Sequence, residues 1–365
     1  MKEVKNNIKP KKLWLKIILI FVGVLFAVIS VYVIYVYVSY SRIEDNQTLI
    51  IEGNAEHRKV KRNTEYTALS YNIGFGAYTP DFTFFMDGGT QSWASSEESV
   101  NYCIDNDIAL IKKENADIVF LQEVDFNSTR SYHIDEVSKI RSAFENTSSS
   151  LAVNYHSAFL FYPLLQPHGS SNAGMLTMSK IQINSGLRRS LPVSEGFSKF
   201  IDLDRCYSVN RIPAEDGKEL ILINVHLSAY GADGNLQQQQ TEKLFGDMRD
   251  EYKKGNYVIC AGDFNHDFLK NSVEIFNNEV PDEYSWAKPF PDERIPEHFR
   301  KLDDYPNAAA VPSCRNCDRP YDESCFTLTV DGFIVSDNIN VTYANVIDTQ
   351  FAYSDHNPVE IKFKL

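Results

Sequence analysis

Six short segments end an apolar run in residues suited to metal or phosphate chemistry: LSYNIG (69–74), IVFLQEVD (118–125), LINVHLSAYG (222–231), VICAGDFNHD (258–267), LTVDGFIVS (328–336) and YSDHNPVEI (353–361). They set Asn72, Glu123, His226, Asp263 with Asn265, Asp331, and Asp355 with His356 at strand-like ends. Strand ends hold side chains rigidly while the loops beyond them admit substrate. A carboxylate orients and deprotonates water or offers a hard oxygen ligand; an amide donates to phosphate without adding negative charge. One acid after a strand is ordinary. Six such segments in one chain form a pattern. Asp263 and Asn265 stand at alternate positions, so the spacing predicts that both face one side.

The six segments resemble the endonuclease/exonuclease/phosphatase superfamily over roughly Tyr66 to Leu365, most specifically in GDFN and SDHNPV. The resemblance implies a four-layer α/β sandwich, two stacked mixed β-sheets flanked by helices, with the site at one end of the sheets. It implies Glu123 as acidic metal ligand, Asp355 as a further carboxylate at or near the metal, and Asn72 as an amide positioning metal and phosphate. Asp263 and Asn265 then hold the attacking water or a phosphate oxygen. His356 stabilises the pentavalent phosphorus, Asp331 orients that imidazole, and His226 protonates or stabilises the leaving group. Asn172, in SNAGMLTMSKI, matches a segment that touches the scissile phosphate in some members. Arg130, in EVDFNSTRS, is a further candidate for the substrate pocket. The expected cofactor is a divalent metal, Mg²⁺ first, with Mn²⁺ or Ca²⁺ as alternatives, because the ligands are hard oxygens. Val124 and Asp125 follow Glu123 where abasic-site enzymes tend to have a basic residue, and VDGFIVS and SDHNPVEI lack the fuller signature of inositol 5-phosphatases.

The elements that must position these residues follow from pattern. Strands are expected at Tyr66–Asn72, Asp117–Gln122, Leu151–Phe159, Ala173–Met178, Cys206–Ile212, Leu220–His226, Tyr257–Gly262, Thr329–Val335, Val341–Val346 and Pro358–Lys364. Val100, Ile104, Ile108 and Ile111 recur at helical spacing and predict a helix over Glu97–Glu114. A second helix is read over Ser128–Phe144, and a third from Gly234 to Lys254, closed by Gly255. The Phe-rich loop PDFTFFMDGG either lines an acyl or headgroup pocket or caps the core. Residues 266–328 read as long surface loops, among which Trp286 is a candidate membrane-inserting aromatic. Cys314, Cys317 and Cys325 cluster where a disulfide is plausible, whereas Cys260 reads as a buried free thiol.

Ahead of this lies a basic tail (1–16), then an uncharged run, 17–40, long enough to cross a bilayer core of about 20 residues. Its length and the absence of a small-residue cleavage site favour an uncleaved signal anchor over a removed signal peptide. Lysines before the run place the amino terminus inside and the rest outside the cytoplasm: a single-pass cell-membrane protein with an extracytoplasmic catalytic domain. Residues 41–64 read as a stalk, and 65–365 as the catalytic domain. Residues 1–41 hold six Lys and one Glu, leaving 30 basic and 48 acidic residues beyond, a net charge of −18. Such a domain lacks the non-specific grip on nucleic acid that Lys and Arg supply. The expectation is therefore a membrane-anchored phosphoesterase acting on diesters or monoesters, a lipid headgroup ahead of nucleic acid. The alternatives are a nuclease on extracellular nucleic acid and a non-catalytic surface binding protein; no protein partner is evident.

Overall fold

The computed structural model describes residues 10–194, 196, 203–229, 234–276, 288–304 and 311–365, which leaves Trp286 and the Tyr230–Gly231 end of the His226 segment outside the described residues. The chain divides into two units, Met1–Ser41 and Arg42–Leu365. In the first, helix α1 (Pro10–Ser39) begins seven residues before the uncharged run. Its Lys12–Ser39 portion contains an 18-residue window of mean hydropathy 3.1 and is long and apolar enough to cross a membrane. Leu25, Phe26, Val28 and Val31 on it are exposed, so it is not a core helix.

In the second unit the described strands run β1 Gln47–Leu49, β2 Ile51–Gly53, β3 Tyr66–Asn72, β4 Ile118–Asp125, β5 Ser148–His156, β6 Asn172–Ser179, β7 Ser185–Ser190, β8 Cys206–Pro213, β9 Glu219–His226, β10 Tyr257–Asp263, β11 Phe299–Lys301, β12 Cys314–Arg315, β13 Thr327–Leu328, β14 Asp331–Ser336, β15 Asn340–Val346 and β16 Val359–Lys364. Two seven-stranded mixed sheets result. One is ordered β1-β7-β8-β9-β10-β14-β11, the other β15-β16-β3-β4-β6-β5-β2. Only β9–β10 and β3–β4 pair in parallel among neighbours in these sheets.

Strand alternation sorts the apolar residues into layers. Ala68, Ile118, Phe120 and Ile361 from one sheet meet Leu220, Leu222, Ile259 and Phe333 from the other in the central core. The opposite faces bury Leu69, Tyr71 and Leu121 under helices α2 (Glu97–Glu114) and α3 (Glu136–Ala143), and Ile221, Ile223 and Val258 under α4 (Gly234–Lys253). This is the expected four-layer sandwich. A polar seam crosses the core near its middle. Gln122 Nε2 donates to Asn224 Oδ1 (2.8 Å), and Asn224 Nδ2 returns to the Leu121 carbonyl (3.2 Å) and Thr177 Oγ1 (3.2 Å).

Three sequence expectations change, and one open alternative is decided. Residues 42–64 are no stalk: β1 extends one sheet and β2 the other, and Arg42 already pairs with Asp204 at 3.0 Å. Leu49 in β1 and Val60, which bridges to Ala214, are buried, so the segment is part of the domain and not a solvated linker. The helix read over Ser128–Phe144 shrinks to α3, because Ser128–Ser131 turn to serve Asp125 and Asp135 caps the helix by accepting from Ser138 N. Cys314, Cys317 and Cys325 are all free thiols, buried like Cys260. Phe82 and Phe84 are buried against Phe75 and Tyr78, so the Phe-rich loop caps the core.

Candidate active site

The six segments converge because of how their strands are paired. The parallel pairing of β9 and β10 brings their carboxyl ends level, and β14 runs antiparallel to β10 from the same edge. Asp263 therefore sits opposite His226 on one side and Asp331 on the other, three side chains on one rung. In the facing sheet β3 and β4 are also parallel; β3 ends in Asn72, level with Gln122, and Glu123 follows on β4, while the turn before β16 supplies Asp355 and His356. Two glycines make this packing possible. A Cβ at Gly262, with φ +148°, would lie 1.9 Å from the Val225 carbonyl oxygen, so the close approach of β9 and β10 excludes any other residue. A Cβ at Gly74 would lie 2.9 Å from Asp355 Oδ1. Glu123 sits in a bulge, with φ +54°, where β4 carries one residue more than β6, which turns its side chain out of strand alternation.

Asn72 is the hub. Its Nδ2 donates to Asp263 Oδ2 (3.1 Å) and Glu123 Oε1 (3.4 Å) and lies 3.4 Å from His356 Nε2. Asp263 Oδ2 also lies 3.5 Å from His226 Nε2 and 3.9 Å from His356 Nε2. Asp331 Oδ2 binds His356 Nδ1 (2.7 Å) and accepts from Ser313 Oγ (2.7 Å). All of these except Glu123 are buried. Asp263 Oδ1 accepts the Asn265 amide (2.8 Å), and Asn265 Nδ2 reaches the Leu227 carbonyl (2.8 Å). The alternation expected of Asp263 and Asn265 fails, since β10 ends at Asp263 and Asn265 has φ +49°. The turn instead occupies one carboxylate oxygen and frees the other for the histidines.

Electrostatics separates the groups. Burial, then the charge of Asp331, raises the Asp263 carboxyl above the usual carboxylate range. Burial alone would lower the His356 pKa, but Asp331 and its neighbours carry it well above an ordinary imidazole. His226 goes the other way, held well below by burial and then by the positive field of Arg205. The site thus presents one imidazolium and one neutral imidazole. Burial lifts Asp355 to about 6, with His356 opposing and Glu123 adding to the rise. Two neighbouring carboxylates, one of them raised in part by the charge of the other, fit a divalent cation, and all their donors are hard oxygens. Asp263, Asp331 and His356 also lie close, with one ligand atom from each all within 4.8 Å of one another. There Asp331 already engages His356 Nδ1, so that trio fits an oriented imidazole better than an ion cage.

Two sequence candidates stand apart. Arg130 is buried, its Nε and Nη2 on Asp125 (3.1 and 2.9 Å) and its guanidinium 3.7 Å from the centre of the Phe75 ring. Asn172 Nδ2 donates to the Asn127 carbonyl (2.9 Å), bracing the loop that carries Arg130. Neither joins the cluster around Asp263 in the hydrogen bonds among the described residues. Sequence reasoning overlooked Ser313 and Ser354, whose hydroxyls hold Asp331 and the Asn72 carbonyl (2.8 Å). Ser313 lies in a stretch without strand signal, and nothing local marks it.

The family described as "Endonuclease/Exonuclease/phosphatase family" matches residues 69–356. Among solved structures, the endonuclease/exonuclease/phosphatase from Beutenbergia cavernae DSM 12333 is 17% identical with a TM-score of 0.56, covering 82% of this chain and 72% of that one. ANGEL2, a 2′,3′-cyclic phosphatase, is 14% identical with a TM-score of 0.53, over 89% of this chain and 99% of its own. The protein of that fold from Bacteroides vulgatus is 14% identical with a TM-score of 0.52, over 83% and 100%. No curated protein matches the chain in sequence.

Proposed function

The chain belongs to the endonuclease/exonuclease/phosphatase family of metal-dependent phosphoester hydrolases, and on that premise we propose how its residues divide the work and on what substrate. Glu123 and Asp355, with Asn72 beside them, hold the divalent ion, Mg²⁺ by preference. When bound it supplies Lewis-acid neutralisation of phosphate charge. Asp263 Oδ2 is the base that orients and deprotonates the attacking water, its raised pKa matching it to neutral operation. His356, kept protonated and aimed by Asp331, donates from Nε2 to the phosphoryl oxygen that gains charge. His226 is neutral and acts as a hydrogen-bond partner for the leaving oxygen rather than as a charged acid. Asn265 fixes the turn that leaves Asp263 Oδ2 free.

The observation that carries this reading is the single carboxylate oxygen of Asp263 shared by Asn72 and two histidines of opposite charge state. Asp263→Ala and His356→Ala are each expected to lower kcat at least about 100-fold while the thermal midpoint barely moves. Near-normal turnover in either variant, or full turnover in excess chelator, overturns it.

For substrate we favour a lipid headgroup ester, with α1 as an uncleaved anchor and the domain outside the cytoplasm. Two supports offered by sequence have gone: the long stalk, and an aromatic pocket at Phe82–Phe85. A different segment replaces them. The connection between β5 and β6 leaves the site end of its sheet and exposes Phe161 (53%), Tyr162 (71%), Leu164 (83%) and Leu165 (102%). An exposed apolar group of this kind marks an interaction surface, and in a chain with a membrane-crossing helix a bilayer is the natural partner. Nucleic acid is the alternative, and ANGEL2's cyclic phosphate is a third kind of phosphoester. Initial rates on phospholipid vesicles and on double-stranded DNA, in matched Mg²⁺ and ionic strength, decide between them. Rapid DNA cleavage with untouched lipid overturns the lipid reading.

A further inference from the structure

Among the described residues Arg205 is a buried cation with no anion; Arg315, also without an ion pair, donates to the Thr79 carbonyl (3.1 Å). Arg205, just before β8, is 6% exposed, and its Nε and Nη1 are sealed from solvent without an acceptor. Among the described residues no ion pair or hydrogen bond reaches this guanidinium. The adjacent carboxylate of Asp204 is taken by Arg42 (3.0 Å), Arg188 (3.6 Å) and His156 (3.6 Å). An unpaired buried charge is among the costliest features a fold can keep.

Its surroundings point the same way. Asn154 Nδ2 is likewise a buried donor without an acceptor, and His226 Nδ1 is buried without a hydrogen-bond partner among the described residues. Asn154 occupies the bulge of β5, and both flanks of that bulge touch the Arg205 segment. Val153 O accepts from Cys206 Sγ at 3.7 Å, and His156 Nε2 meets Asp204 Oδ2 at 3.6 Å. Tyr207 pairs with Val225, which sets His226 one rung on, level with Cys206. The charge of Arg205 also lowers the pKa of the His226 imidazole. Strand β8 borders β9 on the side away from β10, so the cation lies lateral to Asp263 and beyond His226.

We propose that Arg205, with the Asn154 amide, forms an anion subsite beside the hydrolytic centre that receives a second phosphate of the substrate on the leaving-group side. This rests on the hydrolase reading given above. It narrows the substrate to phosphoesters carrying a further oxyanion close to the scissile group, and it disfavours choline-type headgroups, whose cation would meet a guanidinium. A phosphorylated lipid headgroup and a nucleotide with a terminal phosphate share this chemistry.

The test uses the full chain in detergent micelles with Mg²⁺ and two substrate pairs. One pair is phosphatidylinositol with phosphatidylinositol 4-phosphate. The other is thymidine 5′-(p-nitrophenyl phosphate) with its 3′-phosphorylated counterpart. In at least one pair the added phosphate is expected to lower KM about tenfold, the scale of a hydrogen bond to a charged partner. Arg205→Gln should bring that ratio to near one, whatever the absolute rates, and Arg205→Lys should retain part of it. The pair that shows the ratio identifies the source. Inorganic pyrophosphate, which needs no turnover, should raise the thermal midpoint of the native protein and of Arg205→Lys but not of Arg205→Gln. Lost pyrophosphate protection in Arg205→Gln, with no ester hydrolysed by the native protein, would sink the hydrolase reading and leave the subsite standing. An undiminished KM ratio or undiminished protection in Arg205→Gln overturns the subsite, as does a native protein that shows neither.

Discussion

Asp331 illustrates how little a residue's role depends on its own type. The same carboxylate oxygen accepts from Ser313 and binds His356 Nδ1, so it fixes the imidazole's tautomer and its charge together. Arg130 is the converse: a residue of substrate-binding type absorbed by the interior. Its guanidinium answers Asp125, which is fully buried, and stacks on Phe75. Arg130→Ala is therefore expected to act on stability rather than on substrate affinity. It strands a buried carboxylate, a change worth about 3–5 kcal/mol. Denaturant titration should show that loss with KM nearly unchanged; a raised KM at native stability would return Arg130 to the substrate pocket.

Among elements, the end of α4 shows a charge pattern with a pH signature. Arg211 on β8 grips Glu251 (2.6 and 3.0 Å), and Lys254 and Asn256 add hydrogen bonds at 2.7 and 2.9 Å. Burial alone would raise the Glu251 carboxyl, but these donors outweigh it and hold it at about 2, against 4.5 when free. A depressed carboxyl contributes stability above its free pKa and loses it as pH falls through the folded value. Glu251→Gln should thus cost about 1–2 kcal/mol at pH 7, allowing for solvent screening. The gap from native should narrow steadily between pH 4.5 and 2. A gap independent of pH would mean that packing, not ionisation, sets the effect. The same alternation that buries apolar stripes also admits the Gln122–Asn224 seam, which ties the two sheets in one register.

At the scale of the molecule, the first contacts of the domain begin directly after helix α1, which is long and apolar enough to cross a membrane. A chain started at Arg42 is expected to unfold at the same temperature as the intact domain. One started at Glu65 loses β1, β2 and the buried Leu49 and Val60, and should unfold at least about 5 °C lower. Equal midpoints would restore the stalk. The exposed 161–165 segment makes a second prediction at this scale. Leu164→Asp with Leu165→Asp should slow hydrolysis of phosphatidylinositol 4-phosphate carried in phospholipid vesicles at least about tenfold, since burying one leucine is worth about 1.5–3 kcal/mol. Rates on a soluble p-nitrophenyl diester should not change; an equal fall on both would show that the loop supports the fold instead.

Much of this protein was legible without coordinates, because alternation and helical periodicity are local. Strand β3 and helix α2 fall where the apolar pattern puts them, and β8, β9, β10 and β16 within a residue or two. The polar residues ending Asn72, Glu123, His226 and Asp263 were visible for the same reason. Short edge strands escaped, since three residues such as Gln47–Leu49 carry too little pattern to register. What only the tertiary structure decided is which charges meet. Arg130 and Arg205 are alike in sequence, each one basic residue close to a strand. Packing turns the first onto Asp125 and, among the described residues, leaves the second without a partner, a difference that depends on how the strands are assembled and that no local pattern records.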